Sequence, residues 1–369
     1  MRVAIALLAA CGAGSTPGSG ESQPLGLNDV SMLVPLPPAG GTTLVRMSDG
    51  DGLVPRALFD RLVTGPGDVI DAYEDFQLVA IRFDLCDRVA AGPCPETDGR
   101  LRLVFQPMRA LEANDVGLHA FYPIPEDDLG AVVDELRALA AIAQIPTATA
   151  LTVSPPLVAG NTAYATRLRA LVTSYATSDH LQRLTLFAQD AKAAALIWAF
   201  RGEELRAGSF ARIEIPGVAV LQQRTVLGGS DTTYNTSPVA DAPAGFMLAL
   251  ASDRFAAATP AERMVALESL AAVQNPGMHG TDTVQCVACH VSTFLTARRA
   301  TVAGVDASAI AGTFGAPFDL GTSAGISTTN DRALRAFGWV RRDPAISQRV
   351  VNDTAQVLAE IADRFPPAE

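Results

Sequence analysis

Residues 285–290 read QCVACH, which places Cys286, Cys289 and His290 within five positions of one another. Thiols and imidazole are common metal ligands, and a thiol pair is also a common redox group. In a chain of 369 residues with five cysteines and four histidines, this order would arise by chance in roughly one chain in a thousand. The three side chains are therefore expected to act together. A tetrahedral zinc ion could draw on Cys286, Cys289, His290 and His279. Against that, Cys289 and His290 are chain neighbours, and adjacent side chains converge poorly on one small ion. A Cys286–Cys289 disulfide is the second alternative, and it leaves His290 without a role.

The elements that must position these residues are helical. Thr259-Pro260-Ala261-Glu262 is a capping box with proline at the first helical position, and Met264, Leu267, Leu270 and Ala271 supply the apolar face of the helix that follows. Asn275-Pro276-Gly277 stops that helix, and Met278, His279 and a short polar stretch lead into the motif. Residues 292–300 are expected to continue as helix. Residues 344–365 read as an amphipathic helix with Ile346, Val350, Val357, Leu358 and Ile361 facing inward.

Upstream, the texture is mixed. A helix over 54–62 precedes strands over 75–84, 100–106 and 117–122; Leu101, Leu103 and Phe105 share one face of the second strand. A helix follows Pro125, with a stripe of Leu129, Val132, Val133, Leu136, Leu139 and Ala143. The acidic residues Glu126, Asp127 and Asp128 before it complement a helix dipole and call for no catalysis. A helix over 162–175 then precedes strands over 181–188, 194–200 and 210–215. The expected fold class is α+β: a mostly antiparallel sheet with helices, with a candidate helix-plus-three-strand duplication (29–150 and 151–250), followed by a mainly helical region over 251–369.

Composition bounds the partners. At 49% hydrophobic residues the chain can bury a sizeable core. A net charge of -11 offers no basic face to nucleic acid, so no nucleic-acid partner is expected. Residues 1–10, MRVAIALLAA, place Arg2 before an apolar run and small residues before Cys11, the pattern of a lipoprotein signal peptide cut ahead of a lipidated cysteine. Residues 11–28 are rich in Gly, Ser and Pro and suit a flexible tether. Cys11 is accordingly the expected lipid anchor, which places the protein on a membrane of the bacterial cell envelope, with the outer membrane the expected site. In that oxidising setting Cys86 and Cys94, which bracket a short loop between strands, are expected to form a disulfide.

The C-x-x-C-H pattern resembles the attachment motif of c-type cytochromes. The resemblance implies one covalent haem c, with thioethers to Cys286 and Cys289 and His290 as proximal ligand of the iron. Small cytochromes c take a methionine ligand from well downstream, but neither Met nor His follows His290 here. A second ligand must come from upstream. His279 is expected, with Met278 as the alternative, because a short polar segment joins them to the motif. Met264 reads as core packing and His119 and His180 as ordinary satisfied histidines, with Met108 and Met247 completing the candidates. Residues 27–37 (LNDVSMLVPLP), the cysteine hairpin with RLRLVFQPM, and residues 345–358 (AISQRVVNDTAQVL) also resemble a group of uncharacterised exported lipoproteins from GC-rich bacteria.

No phosphate loop or H-E-x-x-H motif occurs. The expectation is a monohaem electron-transfer or haem-binding lipoprotein, working with a redox partner protein, rather than an enzyme. The alternative from a different class is a structural or partner-binding surface lipoprotein whose C-x-x-C is a disulfide or part of a zinc site.

Overall fold

The computed structural model describes residues 24–38, 43–50, 52–63, 73–85, 99–109, 112, 113, 115–190, 196–228, 232–280, 282–315 and 334–366. The expected signal peptide, Cys11, and the Cys86 and Cys94 pair lie outside the described residues.

The chain is α+β, built on one large sheet. Strands β1 (Ser31–Leu33), β2 (Phe76–Asp84), β3 (Gly99–Arg109), β4 (Glu112–Ala113), β5 (Val116–Ile124), β6 (Arg183–Gln189), β7 (Ile197–Arg206), β8 (Ser209–Arg212), β9 (Gln223–Gly228) and β10 (Thr233–Ser237) run in the order β1-β2-β3-β5-β6-β7-β9-β10, with β4 paired to β3 and β8 to β7. Every ladder between these strands is antiparallel. The two expected halves join through β5 and β6, so they share one continuous sheet. The strand expected over 210–215 is only the short β8; β9 takes its place beside β7, because β8 serves as the return arm of a tight hairpin at Arg206–Ser209.

Helices α1 (Leu27–Val30), α2 (Arg56–Val63), α3 (Leu129–Ala143), α4 (Pro155–Val158) and α5 (Thr162–Tyr175) belong to the first part of the chain. The stripe Leu129, Val132, Val133, Leu136 and Leu139 is buried as its spacing requires, in a core shared with Leu101, Leu103 and Phe105. Leu27 is buried, and the Asn28 side chain donates to the carbonyls of Thr149 and Ala150, so residues 27 and 28, expected in the 11–28 linker, are part of the folded body; residues 11–23 lie outside the described residues.

A second core gathers α6 (Phe246–Leu250), α7 (Ser252–Ala257), α8 (Pro260–Gln274) and α9 (Cys286–Ala303) against Phe187, Trp198 and Phe200 of the sheet. The capping box forms as read: Thr259 Oγ1 accepts from the Glu262 amide while the Glu262 carboxylate accepts from the Thr259 amide. The expected helix over 344–365 divides. β11 (Phe337–Val340) and β12 (Asp343–Ile346) form a hairpin, and α10 (Gln348–Arg364) starts only after Ser347, whose hydroxyl caps the Val350 amide. Ile346 is therefore a strand residue. α10 does not join α8 and α9 in the second core; its buried Val350, Val351, Val357, Leu358 and Ile361 complete the first.

Candidate haem site

Period-two alternation assigns each strand residue to a face, and the register aligns those faces across the sheet. Arg82 of β2 lies opposite Arg102 of β3, Arg102 opposite Phe121 of β5, Phe121 opposite Arg183 of β6, and Arg183 opposite Glu204 of β7. The neighbouring row on the same face is Val104, His119 and Thr185. These side chains line one wall of a cavity of about 400 Å³. Across from them stand Cys286, Cys289 and His290 of α9, Arg349, Val350 and Asp353 of α10, and Phe337 of β11.

The motif occupies the first turns of α9, where positions i, i+3 and i+4 fall on one side of a helix, so Cys286, Cys289 and His290 face the same way. The helix start is tied to the sheet by a buried glutamine: Gln223 Oε1 on β9 accepts from the Val287 amide, and Gln223 Nε2 donates to Gln285 Oε1. The Gln285 amide in turn donates to the Ala240 carbonyl. An orphan amide of the first turn is thereby satisfied without an Asx or Ser cap.

His290 is fixed in tautomer as well as position. Its Nδ1–H donates to the Leu334 carbonyl at 2.5 Å, which leaves Nε2 as the bare nitrogen. The Leu334 amide donates to Asp115 Oδ2, which also accepts from Trp198 Nε1, and Arg335 pairs with the same carboxylate at 3.6 Å. Phe187 and Phe200 pack on the imidazole with ring centroids 4.7 and 5.1 Å away. Gly117 is needed beneath this assembly, since a Cβ there would collide with the Arg335 guanidinium and the Phe187 ring. Burial holds the His290 imidazole neutral, with its pKa pushed down to about 4. Burial likewise takes His119 well below the ordinary histidine value, with the charges of His290 and nearby arginines adding to the effect.

The thiols sit in a desolvated environment. Both are free and half-buried. Burial, with the neighbouring Cys289 adding to it, pushes the Cys286 thiol up to about 12, and burial raises Cys289 too. Reactive dithiols are typically those with depressed values, the opposite of the direction seen here. Among the described residues no cluster of three or more His, Cys, Asp or Glu is arranged to hold a metal ion. The zinc alternative therefore lacks its four-ligand geometry. A porphyrin brings four nitrogens of its own and asks the protein for at most two more ligands, a demand that this site can meet.

Charge on the wall is organised in two groups. Arg82 pairs with Asp84 and Asp353 at 2.7 Å each, Arg349 pairs with Asp353 at 2.8 Å, and Arg102 reaches Asp84 only at 3.4 Å. Three cations thus share two carboxylates. Further along, Arg183 bonds Glu204 and Asp282, and Arg206 bonds Glu204, which balances. Desolvation, helped by the charge of Arg82, takes Arg102 down to about 10, and its Nε has no hydrogen-bond partner among the described residues. The first group therefore has room for one more carboxylate. The cavity volume is in the range of cofactor pockets, about 300–1,000 Å³, and the apolar Val104, Phe121, Val284, Phe337 and Val350 complete its wall. Two thiols, a neutral imidazole with Nε2 bare, apolar walls and an under-compensated arginine fit a haem with acidic side chains.

The upstream ligand candidates are not brought together. His279 sits in the turn after α8, its Nδ1 3.3 Å from Thr283 Oγ1 and its backbone carbonyl held by Arg349; it is not part of the cavity lining. Met278 and Met247 are exposed, as is His180 in a 3₁₀ turn. Met264 and Met108 stand apart from the cavity as well. Of the seven candidates, His119 lines it. Sequence reasoning passed over His119 and the arginines because it followed the apolar face of each strand. The usable signal was the other face: Arg100, Arg102 and Gln106 in alternation on one strand, His119 on the next and Arg183 on the third. No family model, curated protein or solved structure matches this chain.

Proposed function

We propose that the chain is a membrane-anchored monohaem protein of the c-type, exported to the cell envelope, held there by a lipid on Cys11 and exchanging electrons with a partner protein. One observation carries this reading: Cys286, Cys289 and His290 share a helix face on a cavity, with the His290 Nδ1–H committed to Leu334 and Nε2 bare. A haem held there supplies reversible one-electron transfer, and small-molecule binding where an axial position stays open. The protein's part is to hold and insulate. Cys286 and Cys289 supply the two thioether sulfurs, His290 supplies the proximal nitrogen, Phe187 and Phe200 fix the imidazole plane, and Arg102 offers charge to an acidic edge. The Leu334–Asp115 relay keeps His290 in the tautomer that ligates.

Covalent attachment is the test. The protein, made with the cytochrome c maturation machinery, is expected to stain for haem on a denaturing gel, and Cys286→Ala combined with Cys289→Ala should abolish the stain. Equal covalent haem in the double variant would end the cytochrome reading. For the anchor, Cys11→Ser should move the protein from the membrane to the soluble fraction; unchanged partition at high salt would remove the lipid from the proposal.

A further inference from the structure

The imidazole of His119 has an unusual position for a strand histidine. It projects, half-buried, from the central strand β5 into the cavity. Its ring centroid lies 6.3 Å from that of His290. Two metal–imidazole bonds of about 2 Å each, plus the ring radii, add to roughly 6 Å. Both rings line the same cavity, one from the sheet and one from α9, so they approach it from different layers of the fold.

We propose that His119 is the second axial ligand, making the site bis-histidine between β5 and α9; this rests on the haem reading above. Neither ring must travel far, because each sits on a regular element whose position is set by packing. His119 is held by the β3 and β6 ladders on both sides. The alternative, His279, would have to leave its Thr283 contact and carry along a backbone carbonyl anchored by Arg349. With His119 bound, both axial positions are filled, which selects electron transfer over ligand binding within the proposed function. The ligand pair would also tie the two cores together, since β5 feeds the first and α9 the second.

The experiment reads coordination and leaves activity aside. Wild-type ferric protein carrying covalent haem is expected to be low-spin, with the EPR signature of two imidazoles, and its ferrous form should not bind carbon monoxide readily. His119→Ala and His119→Gln should each keep covalent haem on the gel yet become high-spin, with free imidazole restoring the low-spin form in His119→Ala. Covalent haem that stays low-spin in both variants would overturn the proposal. The chain has only four histidines, which gives an arm independent of how the His119 variants fold. His180 and His279 are both at least partly exposed, and the His180→Ala, His279→Ala double variant should keep the bis-imidazole spectrum; its loss there would give the role to one of those two. A high-spin wild type with covalent haem would also overturn His119 while leaving the haem reading intact. Wild-type protein without any covalent haem would instead fail the haem reading itself.

Discussion

β3 and β5 present two unlike faces. On one, Leu101, Leu103, Phe105, Leu118, Ala120 and Tyr122 are fully buried and join the stripes of α3 and α5. On the other, Arg102, His119 and Phe121 look into the cavity beneath α9 and α10. An antiparallel sheet commonly packs one face and wets the other. Here the polar face is covered too, and it carries charge that covering makes costly: Arg102 is desolvated and only partly paired, its Nε without a hydrogen-bond partner among the described residues. The apolar face follows the rule that burial favours hydrocarbon; the polar face breaks it where a ligand would repay the cost. Local departures of this kind are expected at functional sites.

The comparison predicts different mutational behaviour on the two faces. The largest effect belongs to the apolar one. Phe105 has no exposed surface, so Phe105→Ala removes a buried ring and leaves a void, for a loss of about 3–5 kcal/mol in urea unfolding at every pH. A loss below about 1 kcal/mol would mean that this face is loosely packed. On the polar face Asp353→Asn should cost less, about 2 kcal/mol, since the carboxylate is partly exposed and Arg82 keeps Asp84. It should also change the pH dependence. Burial by itself would raise the Asp353 carboxyl, but Arg349, Arg82 and Arg102 together outweigh burial and hold it below its unfolded value of 3.8. Such a group contributes stability that is complete above that value and lost as the pH falls through the depressed one. The Asn variant should therefore lose that part of the acid limb, whereas Phe105→Ala shifts the whole curve. Identical acid limbs in wild type and Asp353→Asn would break the distinction between the faces.

What could be read from the sequence follows the same division. The period of Leu101, Leu103 and Phe105 identifies a half-buried strand, the 3.6-residue stripe identifies α3, and Thr259 with Glu262 marks the start of α8; each signal is local. The extended helix over 344–365 failed at its start because Pro344 suits a first helical turn as well as the β11–β12 hairpin that it occupies. The motif residues were legible by type and spacing. Their surroundings were not, because the cavity is assembled from positions as distant as 82 and 353, and no local pattern says what covers the polar side of a strand. His119 is the clearest case: its type and strand setting read as an ordinary histidine, and only the assembled fold places it on the same cavity as His290.

The smallest effect on stability, and the sharpest separation of the faces, is expected at Arg102. Its pairing is one long contact to Asp84 and a position 4.9 Å over the Phe121 ring, and the charge of Arg82 opposes it. Methionine fills a similar volume without a charge to desolvate, and exchange of a poorly compensated buried ion for an apolar side chain is neutral or mildly stabilising. Arg102→Met should thus lie within about 1 kcal/mol of wild type in urea, on the stable side if it departs at all. The cost should appear elsewhere. Without Arg102 the two carboxylates Asp84 and Asp353 are matched by Arg82 and Arg349 alone, and no cation is left for an acidic ligand edge. The haem-loaded variant is expected to show a lower reduction potential than wild type, because a nearby positive charge favours the electron-rich state. Loss of more than about 2 kcal/mol of stability with an unchanged potential would make Arg102 a structural ion-pair member and would return this face to the ordinary packing that governs the other.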